Sequence, residues 1–436
     1  MASAAQVPAA PAVPTPPWMF LFLDVPFGAA VGFYSIVMPF WLSRSGLDVT
    51  QIATVVAASG SPHALKLLWI PLLDIVGTRR GWYLATAAAT AALFLVLASW
   101  PGVLGNVALF GWLATALQAV GTTCHAANNA LMATTTRPED KGKVGGFAMA
   151  SNVGFTGLMA ALMLLATSGV AVGGRTVGAL GVRGAALLVA ALVAGSALLA
   201  LRIVEPARLA RAGGARLQAA LQHLGHMLRD LWRTVVSREG ATGIVICLAP
   251  VGCQVLSNLF SALAPDYGAG EELVSLANGA AGGVAGALGA LAGGVLADRI
   301  NRRVAYATSG GLTALCALAM LAAPMTPLTY LWGTFTYLFA GGLAFATWAG
   351  MVLELVGHSP ATATKYALFN ASLNVAITYD TYVVGQLGRR LDGAWGLGSA
   401  RGLLAADAAM TGLGILLLLG MVALTRPSRA SAAAGR

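Results

Sequence analysis

Apolar residues run along this chain in blocks of about twenty, with polar residues gathered in the short gaps between them. At about 1.5 Å of rise per residue, a helical block of that length crosses the roughly 30 Å of hydrocarbon in a bilayer. Twelve blocks fit the pattern, at residues 18–42, 50–76, 82–100, 105–135, 144–168, 184–203, 240–264, 272–297, 304–323, 328–356, 366–388 and 402–425. The fourth and tenth exceed what a straight crossing needs, so tilt or a break is expected there. The pattern predicts an all-α membrane protein of 12 transmembrane helices in two pseudo-symmetric six-helix bundles. Residues 1–17, rich in Ala and Pro, read as a disordered leader. Residues 18–203 read as the N-terminal bundle, 204–239 as a cytoplasmic amphipathic linker, 240–425 as the C-terminal bundle and 426–436 as a cytoplasmic tail.

Composition strengthens the bilayer reading. Hydrophobic residues make up 58% of the chain and charged residues 10%, with a mean hydropathy of +0.77, too little polar side chain to coat a soluble surface. The net charge of +10 would suit nucleic acid, but no basic stripe with interleaved aromatics occurs, and that class of partner is excluded. Cys124, Cys247, Cys253 and Cys316 lie inside apolar blocks without Cys-x-x-Cys spacing and read as small buried residues, not metal ligands. No nucleotide-binding motif and no nucleophile with a placed base is found, so neither an enzyme nor a cofactor is expected.

The basic residues orient the chain. With both termini cytoplasmic, Arg79, Arg80, Arg137, Lys141, Lys143, the arginines from Arg202 to Arg238, Arg299, Arg302, Arg303, Lys365 and the C-terminal arginines fall inside. Only Arg44, Arg175, Arg183, Arg389, Arg390 and Arg401 fall outside, the asymmetry expected of a multi-pass protein of the plasma (inner) membrane. Within the linker, Leu217, Leu221, Leu224, Leu228, Leu231 and Val235 share one helical face, which suits a helix lying on the inner leaflet or, alternatively, docking a partner.

The two halves repeat. One constant shift carries Pro26 to Pro250, Gly28 to Gly252, Gly46 to Gly270, Asp74 to Asp298, Arg79 to Arg303 and Lys141 to Lys365. A duplicated six-helix unit is the architecture of a transporter whose halves rock about a site between them. The stretches GGVLADRINRR (Gly293–Arg303) and PLLDIVGTRR (Pro71–Arg80) resemble the cytoplasmic signature of the major facilitator superfamily, with Asn301 and Pro71 as departures. LKLLWIPLLD (Leu65–Asp74), RRGW (Arg79–Trp82), TRPEDKG (Thr136–Gly142) and ATKYALFNAS (Ala363–Ser372) are similar to the AmpG-like and acetyl-coenzyme A transporter branch, including short siderophore permeases. The AmpG-type permeases carry two further spans, which the polar 205–239 segment does not supply, so the short members fit better. The fifth block lacks the Gly-Pro motif of drug/proton antiporters.

The resemblance implies the major facilitator fold and alternating access in a lipid bilayer. It also implies a small-molecule substrate of the muropeptide, siderophore or coenzyme A conjugate class and no required oligomer; a proton as partner is expected from the charges inside the blocks, the alternatives being a passive facilitator, an exporter or a non-transporting membrane sensor. It makes Asp74, Arg79, Arg80, Asp298, Arg299, Arg302 and Arg303 a cytoplasmic gate; the alternative is that they only anchor topology.

Charges inside the blocks are the other candidates, because an unpaired charge at the bilayer centre costs about 3 kcal/mol or more. Asp24 and Lys66 both lie roughly 9 to 12 Å from the cytoplasmic end of adjacent antiparallel blocks, so an ion pair between them is geometrically allowed, either functional or structural, as is a snorkelling lysine. His63 joins them as a proton relay or a structural histidine. None of the three has a charged counterpart in the second half. In the fourth block Gln118, His125 and Asn129 share a helical face with Asn128 beside them, placed to bind a polar solute or one another. Asn370, Asn374 and Asp380 in the eleventh block point to an aqueous cavity, whereas Glu354 reads as interfacial. The glycines at 279, 282, 286, 289 and 293 read as a helix-packing stripe.

Overall fold

The computed structural model describes residues 14–70, 72–137, 140–172, 175–205, 225, 229, 232–356 and 362–425. Twelve helical rods traverse it. In the N-terminal half they are α1 (Met19–Arg44), α2 (Val49–Leu65, continued by Lys66–Leu68 and Leu72–Ile75), α3 (Arg79–Ser99), α4 (Val107–Thr135), α5 (Lys141–Ser168) and α6 (Gly181–Arg202). In the C-terminal half they are α7 (Arg238–Leu248, resumed as short turns through Val255–Asn258, Phe260–Leu263 and Ala264–Tyr267), α8 (Glu271–Arg299), α9 (Arg302–Ala322), α10 (Pro327–Val356), α11 (Thr362–Trp395) and α12 (Ser399–Thr425). A hairpin of β1 (Val170–Val172) and β2 (Arg175–Val177), not expected from the sequence, joins α5 to α6. Most of the linker segment lies outside the described residues; residues 232–236 are helical and lead through the Ser237 cap into α7.

Among the described residues, eight helices are individually long and apolar enough to cross a bilayer: α1, α3, α4, α6, α8, α9, α10 and α12. The remaining four break or carry polar residues, and three of them, α2, α5 and α11, form the seam between the halves, where protein covers them and apolarity is not required. The α8 glycine stripe serves close packing: a Cβ on Gly293 would lie 2.9 Å from the Leu343 Cα of α10, and one on Gly279 would lie 2.8 Å from the Ala161 Cβ of α5.

Two expected spans are not continuous helices. The second ends its α-helix at Leu65 and runs on as a 3₁₀ turn through Lys66–Leu68, with Ile70 N donating to Lys66 O. The residue after Ile70 is a proline, and the position before a proline disfavours helical backbone. The seventh stops at Leu248 and leaves 249–254 outside helical structure, with Gln254 left-handed at φ 51°. Pro250 supplies no N–H there. At the position related by the repeat, Pro26 follows a milder break in α1 at Leu23 and Asp24. The shared proline therefore marks a break in the first helix of each half.

The halves meet mainly away from the face that holds the chain termini. Thr50 Oγ1 of α2 donates to Gly385 O of α11 at 3.3 Å. A Cβ on Gly157 of α5 would lie 3.0 Å from the Gly279 carbonyl carbon of α8, so glycine permits this approach.

Candidate functional site

The break in α1 creates the N-terminal cluster. Without its usual ladder partners, the Leu23 carbonyl accepts from the Tyr83 hydroxyl of α3 at 2.8 Å, and the Leu21 carbonyl accepts from Ser151 Oγ of α5 at 2.6 Å. Asp24 sits on the break, 1% exposed. His125 Nδ1 of α4 lies 2.8 Å from Asp24 Oδ1, and Asn128 Nδ2 donates to the same oxygen at 3.3 Å. Phe27, one turn further along α1, stacks on the His125 ring at a centroid distance of 4.2 Å and holds it in place. Asp24 Oδ2 and Asn128 Oδ1 are buried without hydrogen-bond partners.

These contacts take the place of the Asp24 to Lys66 ion pair that the spacing left open. Among the described residues none joins the two; Lys66 is half-buried on the 3₁₀ turn of α2, while the kink aims Asp24 at α4. Residue spacing gives depth along a helix and leaves azimuth open. The α4 polar residues likewise do not bond one another. Gln118 Nε2 donates to Ala30 O at 2.5 Å, and its Oε1 accepts from His63 Nε2 at 2.8 Å. Asn129 is half-buried one helical turn from His125. His63 also packs edge-on to Phe27 at a centroid distance of 5.9 Å, so both histidines contact one aromatic ring.

The C-terminal cluster surrounds the break in α7. The Leu248 carbonyl, at its N-terminal edge, accepts from the Tyr379 hydroxyl of α11 at 2.5 Å. Asp380, the next residue, is 2% exposed with Oδ1 unpartnered, and Cys253 lies beside it. Asn374 Nδ2 donates to Asn370 Oδ1 at 3.1 Å, and both residues are half-buried. One residue here escaped the sequence reading. Asp407 of α12 is 2% exposed and accepts from the Tyr337 hydroxyl of α10. The signal was available, since a lone Asp inside the block LLAADAAM meets the same test that singled out Asp24 and Asp380.

The family model for the Major Facilitator Superfamily matches residues 20–379, most of the chain and both clusters except Asp380 and Asp407. The chain belongs to the major facilitator superfamily. Solved structures agree on the fold. A D-xylose-proton symporter is 15% identical, with 93% of this chain and 96% of that one covered and a TM-score of 0.69. The nucleoside transporter NupG is 13% identical, covering 94% and 99%, with a TM-score of 0.66. A bacterial homolog of the human lysosomal transporter Spinster, inward-facing and unoccupied, is 12% identical over 93% and 94%, with a TM-score of 0.64. No curated protein matches the sequence.

In this major facilitator chain the gate residues separate by half. Arg79 and Arg80 open α3, where their backbone N–H groups donate to Glu205 Oε1 at 3.1 Å and Oε2 at 3.2 Å, and Arg80 Nη1 donates to Ile203 O at 2.9 Å. Glu205, just past α6, thus caps a helix N-terminus, a role missed in the sequence because its partners are backbone groups. In the other half Asn301 caps α9 through Arg303 N at 3.0 Å, and Arg302 Nη1 lies 3.5 Å from Glu354 Oε2. Glu354 is therefore an ion-pair partner and not only interfacial. Asp298 and Arg299 are exposed, and the Asp74 side chain lies outside the description. Each contact named here stays within its own half.

Proposed function

We propose that this protein is a secondary active transporter that moves a polar solute across the inner membrane by alternating access, coupled to proton entry, with both termini cytoplasmic. The single observation carrying this reading is the Asp24–His125–Asn128 cluster. A carboxylate 1% exposed within the membrane-spanning bundle, bonded to a histidine and keeping one oxygen unpartnered, is suited to take up and release a proton. Lys66, Asn129, Asn370 and Asn374 are partly exposed polar groups from both halves and serve as solute contacts in this reading. The seam contacts at Thr50–Gly385 and Gly157–Gly279 support a state open toward the termini, with Asp74, Asp298 and the paired arginines closing that side in the alternate state.

The AmpG-like motifs favour a muropeptide, a siderophore or a coenzyme A conjugate as solute. Structural relatives named as a D-xylose-proton symporter and a nucleoside transporter support a polar solute in general. Two measurements test the proposal. A thermal-shift screen of the purified protein against the three ligand classes identifies the solute, because a ligand bound to the native state raises its melting temperature. Uptake into proteoliposomes under an imposed pH gradient is then compared between wild type and Asp24→Asn. Proton-driven accumulation is expected to disappear in the variant while exchange persists; unchanged proton dependence defeats the coupling role.

A further inference from the structure

Two carboxylates are buried in the C-terminal half with no cation to neutralise them. Asp380 on α11 and Asp407 on α12 are each 2% exposed, and among the described residues neither has an ion-pair partner. They are close enough for the charge of one to act on the other. Their hydrogen bonding differs. The Tyr337 hydroxyl shares its one hydrogen between Asp407 Oδ1 at 3.2 Å and Oδ2 at 3.1 Å, and a hydrogen bond donated to a carboxylate favours its ionised form. Asp380 Oδ1 is buried without a partner, with only the weakly donating Cys253 thiol beside it. The other titratable groups facing the pair among the described residues are Cys253 from the break in α7, Tyr337 from α10 and Tyr379 from α11, and none of them brings positive charge.

Two ionised carboxylates in one dry site repel each other and forgo hydration, so such pairs retain a proton. We propose that Asp380 and Asp407 hold one proton between them, carried by Asp380, and form a proton-binding site of the C-terminal half separate from Asp24 and His125. Releasing that proton leaves a second negative charge which the closed pocket has no group to balance. Release therefore requires the non-helical stretch 249–254 beside Cys253 to move and admit water. The inference stands on burial and hydrogen bonding, not on the transport reading, so either can fail alone.

Infrared spectroscopy of the full-length protein in lipid at neutral pH reads the carbonyl stretch of a protonated carboxylic acid, with no substrate or flux needed. One such band is expected in the wild type, absent in Asp380→Asn, shifted in frequency by Asp407→Asn and by Tyr337→Phe, and untouched by Asp24→Asn. A wild type without the band, or a band that survives Asp380→Asn, overturns the proposal. So does a band abolished by sodium chloride at constant pH, which makes this a metal-cation site. Should Asp380→Asn fail to fold, Tyr337→Phe keeps both carboxyl groups, and an unshifted band there overturns the proposal equally.

Discussion

Each half begins with a helix broken at a proline, and the two breaks handle charge in different ways. In α1 the interruption is short and carries its own carboxylate, Asp24, which is bonded by His125 and Asn128 from α4. In α7 the interruption spans 249–254 and carries no charge itself; the carboxylates arrive from α11 and α12 and find hydroxyl and thiol neighbours only. Tyrosines serve both breaks alike, Tyr83 on the Leu23 carbonyl and Tyr379 on the Leu248 carbonyl. The duplicated backbone thus preserves the break and the need to satisfy its carbonyls, while the charge chemistry has diverged. A break frees backbone groups whatever the side chains are, whereas a charge depends on its partner.

The largest expected effect tests the histidine side of this contrast. His125→Ala leaves Asp24 buried and unpaired and should cost about 3 to 5 kcal/mol, read by unfolding in detergent, with Asp24→Asn costing less because it removes the charge. A His125→Ala loss no larger than that of Asp24→Asn would erase the distinction between the halves. Next, Gly157→Leu overfills the α5 contact with α8 and should weaken the seam by about 1 to 3 kcal/mol. Unfolding in detergent reads that loss, and an unchanged stability would mean that the seam closes without the glycine approach.

Tyr83→Phe and Tyr379→Phe each remove one hydroxyl from a break, and about 0.6 to 1.7 kcal/mol is expected from each. Equal losses support equivalent breaks; a markedly larger loss for Tyr379→Phe would show that the longer break depends more on its cap. The smallest effect belongs to the gate. Arg302 and Glu354 are 38% and 52% exposed, so Glu354→Gln should cost under about 1 kcal/mol and the loss should shrink with salt. A larger, salt-insensitive loss would make that pair part of the bundle core.

Much of this was legible without coordinates. Block length announced the rods, and the constant shift linking Pro26 to Pro250 and Gly28 to Gly252 announced the duplication. The same glycines prove to be close-contact positions, since a Cβ on Gly28 would lie 2.7 Å from the Phe155 Cβ and one on Gly252 2.8 Å from the Tyr306 hydroxyl oxygen. Asp24, His125 and Asn128 all stand out in the sequence as polar groups in apolar blocks, yet the spacing offered Asp24 only Lys66 as a possible partner. Residue spacing measures depth in the membrane, and at one depth several helices offer partners. Asp407 was legible by the same test as Asp24 and Asp380, a lone carboxylate inside an apolar block, whereas Glu205 was not, because it bonds backbone that every residue possesses.

What the sequence by itself determined follows from the bilayer. An apolar block must be about 20 residues long and its polar backbone must be satisfied within the helix, so span number and the repeat are written locally. Which helix faces which, and so which donor meets a buried carboxylate, depends on rotations and kinks that no stretch of sequence specifies alone. Only the packed tertiary structure set His125 against Asp24 and left Asp380 and Asp407 without an ion-pair partner among the described residues, because azimuth around a helix is decided by all its neighbours together.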